Sequence, residues 1–312
     1  MISYGNGIYA IDALHIRPRL AAIYLIVENG RAAFFDCGTN KSMPQVLYAL
    51  KYLGLSTAAV DYVIASHVHL DHAGGAGAMM AAFSNAKLVV HPRGARHMVD
   101  PSKLMDGTRA VYGEAATRSL YGDLIPVPYE RIVEASDGQY LDLAGRTLTV
   151  LDTPGHAKHH ICLVDRLTRH IFSGDLFGIS YRELDVDGRP SVFPLTSPVQ
   201  FDPKAMHTSI DRVLDAQPEA IYLAHFGQVN DVSRLGVDLH RLIDAHCDLA
   251  HKANVGAATD RCARLAFGLR QLLLEEKLRQ GWRLVDSELF DIINDELEVN
   301  AQGLEVWLDS VI

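Results

Sequence analysis

The chain has 312 residues, of which 48% are hydrophobic, and its formal net charge is -9. This length allows one or two domains with a large core, and the acidic balance argues against a nucleic-acid-binding protein, which would carry a basic surface. The longest clean apolar run, residues 20–27, is too short to span a membrane.

The four cysteines are far apart and form no CxxC pair. This usage is typical of a reducing compartment. The N-terminus has neither a basic region nor a long apolar stretch, so no targeting segment is predicted. We therefore expect a soluble cytoplasmic protein.

The first predicted elements are three strands, formed by apolar runs at 8–11, 22–27 and 32–35. The Asn29-Gly30 pair between the second and third runs predicts a hairpin. The third strand ends at Asp36, which is either a turn residue or an acceptor that supports a nearby site.

A helix, then alternating strands and helices, follow the hairpin. Apolar residues recur at helical spacing over 43–53, and strands are predicted at 62–65 and 87–91, with a helix from 79 to 83 between them. Residues 98–130 are rich in Gly and Pro, which predicts an irregular insertion with one or two short helices. Such insertions provide substrate contacts. The candidates are Arg109, Tyr112, Arg118 and Tyr121, although each taken singly is more typical of an ordinary surface residue.

The most informative stretch is Ser66-His67-Val68-His69-Leu70-Asp71-His72, directly after the strand at 62–65. Side chains two apart in an extended segment point the same way, so His67 and His69 converge on one point. Asp71 and His72 follow where the chain turns and face a second point beside it. Imidazoles with a carboxylate are ligands for zinc, iron or manganese. Four such side chains in six positions favour a metal site over four separately hydrogen-bonded core residues.

Three more metal-competent residues follow later predicted strands. The strand at 146–151 leads into a Pro-Gly turn that presents His156, and a hairpin over 161–173 ends at Asp175. After a helix near 206–214, the strand at 220–224 ends at His225. Strand ends on one rim of a layered sheet converge in space, so all these residues can meet those at 67–72. We interpret His91 and His97 as surface or hydrogen-bonded residues.

The composition changes after about residue 230, where strand signals end. Apolar stripes predict amphipathic helices that begin near Leu235, Leu265 and Leu289, with a fourth at 304–308. We therefore divide the chain into a metal-binding domain, 1–230, and a C-terminal helical extension, 231–312. The extension would form a lid over the site, a homodimer surface, or both.

The ordered set of motifs resembles the metallo-β-lactamase superfamily. It comprises the DxG turn at 36–38, the HxHxDH run at 67–72, the TPGH turn at 153–156, the Gly-Asp pair at 174–175 and the late His225. The segment from Gly155 to Cys162 is also similar to the glyoxalase II branch. In that family Thr usually follows the first Asp, whereas this chain has Cys37. The difference hardly affects the assignment of metal ligands. The resemblance covers about residues 1–230.

The resemblance implies an α+β fold, a four-layer αβ/βα sandwich, with a dinuclear metal site on one edge. Its residue correspondence assigns His67, His69 and His156 to one ion. It assigns Asp71, His72 and His225 to the other, and Asp175 as the bridge. The expected cofactors are two divalent metal ions, with zinc first and iron or manganese as alternatives.

The chemistry implied is hydrolysis of an ester, thioester or lactone by a metal-activated bridging water. Asp71 would also orient the nucleophile or shuttle its proton. Tyr181 is a candidate donor to the developing oxyanion, with a packed tyrosine as the equal alternative. His160 is predicted to lie behind a ligand rather than to be one, and His159 is not expected to be a ligand.

The sequence also bears on four other candidate functions. A non-haem iron oxidoreductase, such as a persulfide dioxygenase, is the main alternative; the di-iron branch usually has Glu where this chain has His69. Glyoxalase II itself is disfavoured because Arg270, Lys277 and Arg279 do not form a convincing glutathione-binding cluster. The lack of a basic stripe argues against a nuclease. A non-catalytic helical interaction protein is disfavoured because all seven ligands are present.

Overall fold

The structure is a computed structural model that describes residues 1–197, 199–255 and 258–311. Its strands are β1 (Ile2–Gly5), β2 (Ile8–Asp12), β3 (Ala22–Glu28), β4 (Arg31–Phe35), β5 (Val60–Ile64), β6 (Lys87–Val90), β7 (Ile132–Glu134), β8 (Tyr140–Leu143), β9 (Arg146–Asp152), β10 (Ile161–Asp165), β11 (His170–Phe172), β12 (Ala220–Leu223) and β13 (Gly227–Val229). Its α-helices are α1 (Met43–Tyr52), α2 (Leu70–Ala73), α3 (Ala76–Ala82), α4 (Pro92–Val99), α5 (Ser102–Tyr112), α6 (Glu114–Tyr121), α7 (Pro203–Asp215), α8 (Val232–Ala253), α9 (Arg261–Gln280) and α10 (Asp286–Val311).

The strands form two sheets. The first has the order β1-β2-β3-β4-β5-β6-β7; it is antiparallel as far as β4 and parallel from β4 to β7. The second has the order β13-β12-β11-β10-β9-β8, with β11 and β12 parallel. The Asn29-Gly30 hairpin pairs Glu28 with Arg31, as predicted. Parallel pairing of β4 and β5 places their carboxyl ends side by side.

The core lies between the two sheets. Phe35 and Tyr24 of the first sheet pack against Phe172 of the second, with the Tyr24 and Phe172 ring centroids 5.4 Å apart. The Tyr24 hydroxyl donates to the Leu223 carbonyl over 2.5 Å, which joins the sheets through a polar contact as well. Burial of each such side chain contributes about 1.5–3 kcal/mol to the free energy of unfolding. The predicted α+β class, with facing sheets and added C-terminal helices, is confirmed.

The chain divides into two compact units. The first comprises residues 1–152, 159–174 and 218–228, and it contains almost all of both sheets and the helices α1 to α6. The second comprises residues 153–158, 175–217 and the chain from Val229 onward, with α7 to α10. The bounds of these units differ from the domain boundary predicted at 230/231. The division into a metal-binding domain and a C-terminal extension stays a prediction.

Within the second unit, α7 packs on α8, and α8, α9 and α10 pack on one another. Asn300 of α10 accepts from the Thr196 N–H over 2.8 Å and donates to the Pro194 carbonyl over 2.9 Å. Gly303 permits this approach, since a Cβ there would lie 1.6 Å from the Thr196 carbonyl oxygen. The separate helix expected at 304–308 is wrong, because α10 continues without a break to Val311.

Other local predictions are confirmed or extended. The insertion holds two short helices, α5 and α6, separated at Gly113, whose φ of +80° is in the left-handed region. The short edge strands β1, β7 and β13 have no clear sequence signal and were not predicted. Among the described helices, none combines the length and apolar character needed to cross a membrane.

Candidate metal centre

The His67–His72 segment begins where β5 ends. The Ser66 N–H donates to Asp36 Oδ1 over 2.8 Å, and the Ser66 hydroxyl lies 3.0 Å from His67 Nδ1. His67 Nε2 and His69 Nδ1 are 2.9 Å apart, so these two imidazoles converge as the alternation of an extended segment predicts. His69 is the N-cap of α2, which turns the chain and separates the next two ligands from the first two.

Asp71 and His72 meet His225 in the first unit. Their candidate ligand atoms all lie within 4.8 Å of one another. Asp71 Oδ2 is 3.1 Å from His72 Nε2 and 3.4 Å from His225 Nε2. Burial alone would raise the pKa of Asp71, but the two neighbouring imidazoles in their charged form outweigh it and hold that pKa well below its usual range.

Backbone and carboxylate acceptors set the orientation of both imidazoles. His72 Nδ1 donates to Asp36 Oδ2 over 3.0 Å, and His225 Nδ1 donates to the Leu20 carbonyl over 2.9 Å. A neutral imidazole has one N–H, so each Nε2 presents its lone pair toward Asp71. Two nitrogen lone pairs and a carboxylate directed at one point repel one another unless a cation lies between them. The donor set therefore fits a divalent metal ion.

The arrangement arises because strand ends from both sheets meet here. Asp36 follows β4 and its N–H donates to the Ile64 carbonyl at the end of β5, over 2.7 Å. The Ala22 N–H donates to the Ala224 carbonyl after β12 over 2.8 Å, which places His225 beside the first sheet. Asp36 thus contacts the predicted ligand His72, and its role in supporting a metal site stays a prediction.

The second unit holds the other two predicted ligands, which also pair. His156 Nε2 lies 3.3 Å from Asp175 Oδ2, and His156 Nδ1 donates to the Leu195 carbonyl over 3.2 Å. Gly155 is required in the turn, because its φ is +148° and a Cβ would lie 2.3 Å from Met206 Cα. His156 therefore has the same backbone-fixed tautomer as His225, with Nε2 toward a carboxylate.

His160 and His159 lie near His67 in the first unit. The His160 ring centroid is 5.3 Å from that of His67. Gly174 fits tightly behind it, since a Cβ there would be 2.6 Å from His160 Nε2. Neither histidine belongs to a metal-competent group among the described residues, in agreement with the sequence interpretation.

One residue near the cluster was not anticipated. His15 is buried, and its ring stacks on Tyr121 of α6 with centroids 5.6 Å apart. Burial lowers the pKa of His15 while Asp71 acts to raise it; burial and Asp71 together raise the pKa of Tyr121. Both rings therefore lie within electrostatic range of Asp71. The sequence around His15 gives no sign that this residue lies near Asp71, since its neighbours Leu14 and Ile16 form no recognisable motif.

The remaining sequence candidates are exposed or make contacts with other residues. Arg109 forms surface ion pairs with Asp106 and Glu114, at 3.0 and 2.9 Å. Arg118 is exposed, and the ring of the exposed Tyr112 lies 6.5 Å from that of Tyr121. In the second unit, the hydroxyl of the buried Tyr181 donates to Glu296 of α10. Its role as an oxyanion donor stays a prediction.

Comparison with known proteins identifies the family. Residues 16–225 match the sequence model of the metallo-beta-lactamase superfamily. The chain belongs to this superfamily. A protein of Sulfurisphaera tokodaii named metallo-beta-lactamase fold-containing protein ST1585 is 26% identical over 305 residues, which is 96% of each chain. The crystal structure of the metallo-beta-lactamase family protein TTHA1429 from Thermus thermophilus covers 99% of this chain and 95% of its own, with a TM-score of 0.69 and 19% identity; this likeness shows the fold alone.

Two further relatives carry the names of enzymes. The human acyl-coenzyme A thioesterase MBLAC2 is 27% identical over 56% of this chain and 64% of its own length. A hydroxyacylglutathione hydrolase of Stenotrophomonas maltophilia is 30% identical over 54% of this chain and 50% of its own. The second relative agrees with the similarity noted for Gly155 to Cys162.

Proposed function

We propose that this superfamily member is a metal-dependent hydrolase that cleaves a thioester, ester or lactone bond of a small molecule. The observation that carries the proposal is the convergence of Asp71, His72 and His225, with both imidazole tautomers set by acceptors behind them. The names thioesterase and hydrolase of the two partial relatives support the reaction class.

The proposed ligand set has seven members and two ions. It assigns His67, His69 and His156 to the first ion, Asp71, His72 and His225 to the second, and Asp175 as the bridge. Zinc is the first choice, with iron and manganese as alternatives, because imidazole and carboxylate accept all three. Two such ions, when bound, would lower the pKa of a shared water toward neutral pH and polarise a carbonyl.

The chain's own residues contribute orientation and proton transfer. Asp36 and the Leu20 carbonyl hold His72 and His225 in one tautomer, which prevents either ring from turning its N–H toward the site. Asp71, between the two rings, is placed to orient the nucleophile and to accept its proton. We propose Tyr181 as a donor to the developing oxyanion, which requires its hydroxyl to leave Glu296.

The test combines metal content with a substrate panel. Wild-type protein, H72A and H225A are loaded with zinc or manganese, and metal content is measured by elemental analysis. His97, on α4 outside the cluster, provides the control H97A. We expect wild type and H97A to hold one ion more than H72A and H225A, and to cleave an acyl-coenzyme A, an acyl ester or an acyl lactone. Loaded protein that cleaves no member of the panel would contradict the proposal.

A second candidate function is supported by the same cluster. Two imidazoles and one carboxylate are also the ligand set of non-haem iron oxygenases, which favours a persulfide dioxygenase as the alternative. Oxygen uptake by iron-loaded protein with glutathione persulfide, without hydrolysis of the acyl panel, would establish this alternative in place of the hydrolase.

A further inference from the structure

Two histidines of the second unit that are not among the predicted ligands meet each other. His207 lies on α7 and His240 on α8, and their Nδ1 atoms are 2.6 Å apart. The ring planes are within 7° of parallel and the centroids are 4.9 Å apart. The centroid distance exceeds the Nδ1–Nδ1 distance by about the width of one ring. The rings therefore lie edge to edge in nearly one plane, with Nδ1 directed at Nδ1.

Each outer nitrogen lies beside a carboxylate. His207 Nε2 donates to Asp244 Oδ1 over 3.1 Å, and His240 Nε2 lies 3.1 Å from Asp211 Oδ1. A carboxylate only accepts, so His207 Nε2 carries the hydrogen, and the neutral ring presents its Nδ1 lone pair toward His240. Two ring nitrogens at this distance either share a hydrogen or bind a common cation.

The arrangement has the features of a metal-binding histidine pair. An imidazole that binds a metal through one nitrogen almost always donates from the other to a carboxylate or carbonyl. His207 does so, as His72 does at the candidate centre, and His240 Nε2 lies at the same distance from a carboxylate oxygen. The two imidazole side chains are 27% and 26% exposed, which leaves the pair accessible to an ion from solvent.

We propose that His207 and His240 bind a divalent ion of the zinc, nickel or copper class through their Nδ1 atoms, with water completing the coordination. These ions prefer imidazole, and the two neighbouring carboxylates offset their charge. Metal–nitrogen bonds of about 2.0–2.1 Å require the two Nδ1 atoms to separate on binding. Rotation of the two partly exposed side chains provides that movement.

The site would join two helices next to the turn that carries His156. The Asp202 N–H, at the N-cap of α7, donates to the Gly155 carbonyl over 2.8 Å. The Ser209 hydroxyl of α7 donates to the Pro154 carbonyl over 2.6 Å. An ion that fixes α7 to α8 therefore stabilises the helix on which this turn rests. Its expected effect is structural, and it is independent of the proposed hydrolysis.

The experiment measures metal content in protein without a histidine tag. Wild type, H207A, H240A and H251A are dialysed against the same zinc buffer and analysed for zinc per chain. His251 is an exposed histidine on α8, so H251A controls for loss of an imidazole from that helix. We expect wild type and H251A to hold one ion more than H207A and H240A. Equal zinc content in all four proteins would overturn the proposal and leave a shared proton as the cation.

Two further variants test the proposal even if H207A or H240A misfolds. D211N and D244N change exposed carboxylates and keep both rings, so we expect both variants to fold. Loss of the acceptor charge is expected to weaken zinc binding at this site by about 10–100-fold. Zinc should also raise the melting temperature of wild type and H251A more than that of H240A. Unchanged affinity in D211N and D244N would contradict the assignment, whatever the behaviour of the alanine variants.

Discussion

Asp36 Oδ2 lies 3.0 Å from His72 Nδ1, and both side chains are only 2% exposed. Asp36 also accepts the Ser66 N–H through its other oxygen, so one carboxylate orients the His72 ring and holds the residue that precedes His67. The contact joins the end of β4 to the HxHxDH run, which follows β5.

Replacing Asp36 should weaken metal binding without removing a ligand. We expect D36A to lower the affinity for the second ion by about 10–100-fold, because His72 loses the acceptor that sets its tautomer. Competition with a chelator measures this change. D61N is the control, since Asp61 forms a more exposed ion pair with Arg31 in the same unit. Equal affinities in D36A and D61N would show that Asp36 has no such role.

The buried ion pair between Arg146 and Asp165 should dominate the stability of the second sheet. Both side chains are 0% exposed, and Arg146 Nε donates to Asp165 Oδ1 over 3.1 Å. We expect R146M to lower the free energy of unfolding in urea by about 3–5 kcal/mol, because it leaves a buried carboxylate unpaired. The surface pair of Arg169 with Glu219 is the control, and R169M should have little effect.

The same pair predicts a pH dependence. Burial acts to raise the pKa of Asp165, but hydrogen bonds from Arg146 and Thr168 outweigh it and lower that pKa. The stabilisation is therefore complete above the pKa of the unfolded chain, about 3.9, and is lost as pH falls through the lower folded value. In R146M the burial effect remains, while the charge and hydrogen bonds of Arg146 are gone. The variant should unfold at a higher pH than wild type during acid titration.

His246 should make the protein less stable in mild acid. It is fully buried on α8, its Nδ1 donates to the Leu242 carbonyl over 2.7 Å, and burial lowers its pKa to about 4. The unfolded chain binds the proton first, below about pH 6.5, so stability falls as pH drops from there to the folded pKa. Between pH 7 and pH 5 the loss from this group should be about 2 kcal/mol.

Urea unfolding of wild type and H246L at both pH values measures this contribution. H246L should lack about that part of the pH-dependent loss, and H251L controls for removal of an exposed imidazole from the same helix. A pH dependence in H246L equal to that of wild type would mean that His246 does not remain neutral in the folded protein.

Tyr121 should affect substrate binding if its ring lines the approach to the candidate centre. Its ring packs on His15, and Asp71 contributes to the raised pKa of its hydroxyl. We expect Y121A to raise KM for a cleaved acyl substrate about tenfold, since loss of one aromatic contact removes about 1.4 kcal/mol. Y121F should keep KM close to wild type. Tyr129 is 63% exposed, and Y129A is the control; equal KM values for Y121A and Y129A would refute the prediction.

The sequence alone determined most of the elements and the candidate ligands, because both depend on local spacing. Period-two alternation placed His67 with His69, and the Asn29-Gly30 pair required the hairpin. Each of the seven predicted ligands has a metal-competent side chain after a strand end or a turn, and the order of those motifs indicated the superfamily that the comparison confirms.

Only the tertiary structure decided which distant residues support one another. The contact of Asp36 with His72 depends on parallel pairing of β4 with β5, and that of His225 with Leu20 depends on the meeting of two sheets. His15 and the His207–His240 pair have no sequence signal, because hydrogen bonds between separate elements follow from packing rather than spacing. Local patterns specify which groups a segment can offer; burial and strand pairing decide which groups they meet.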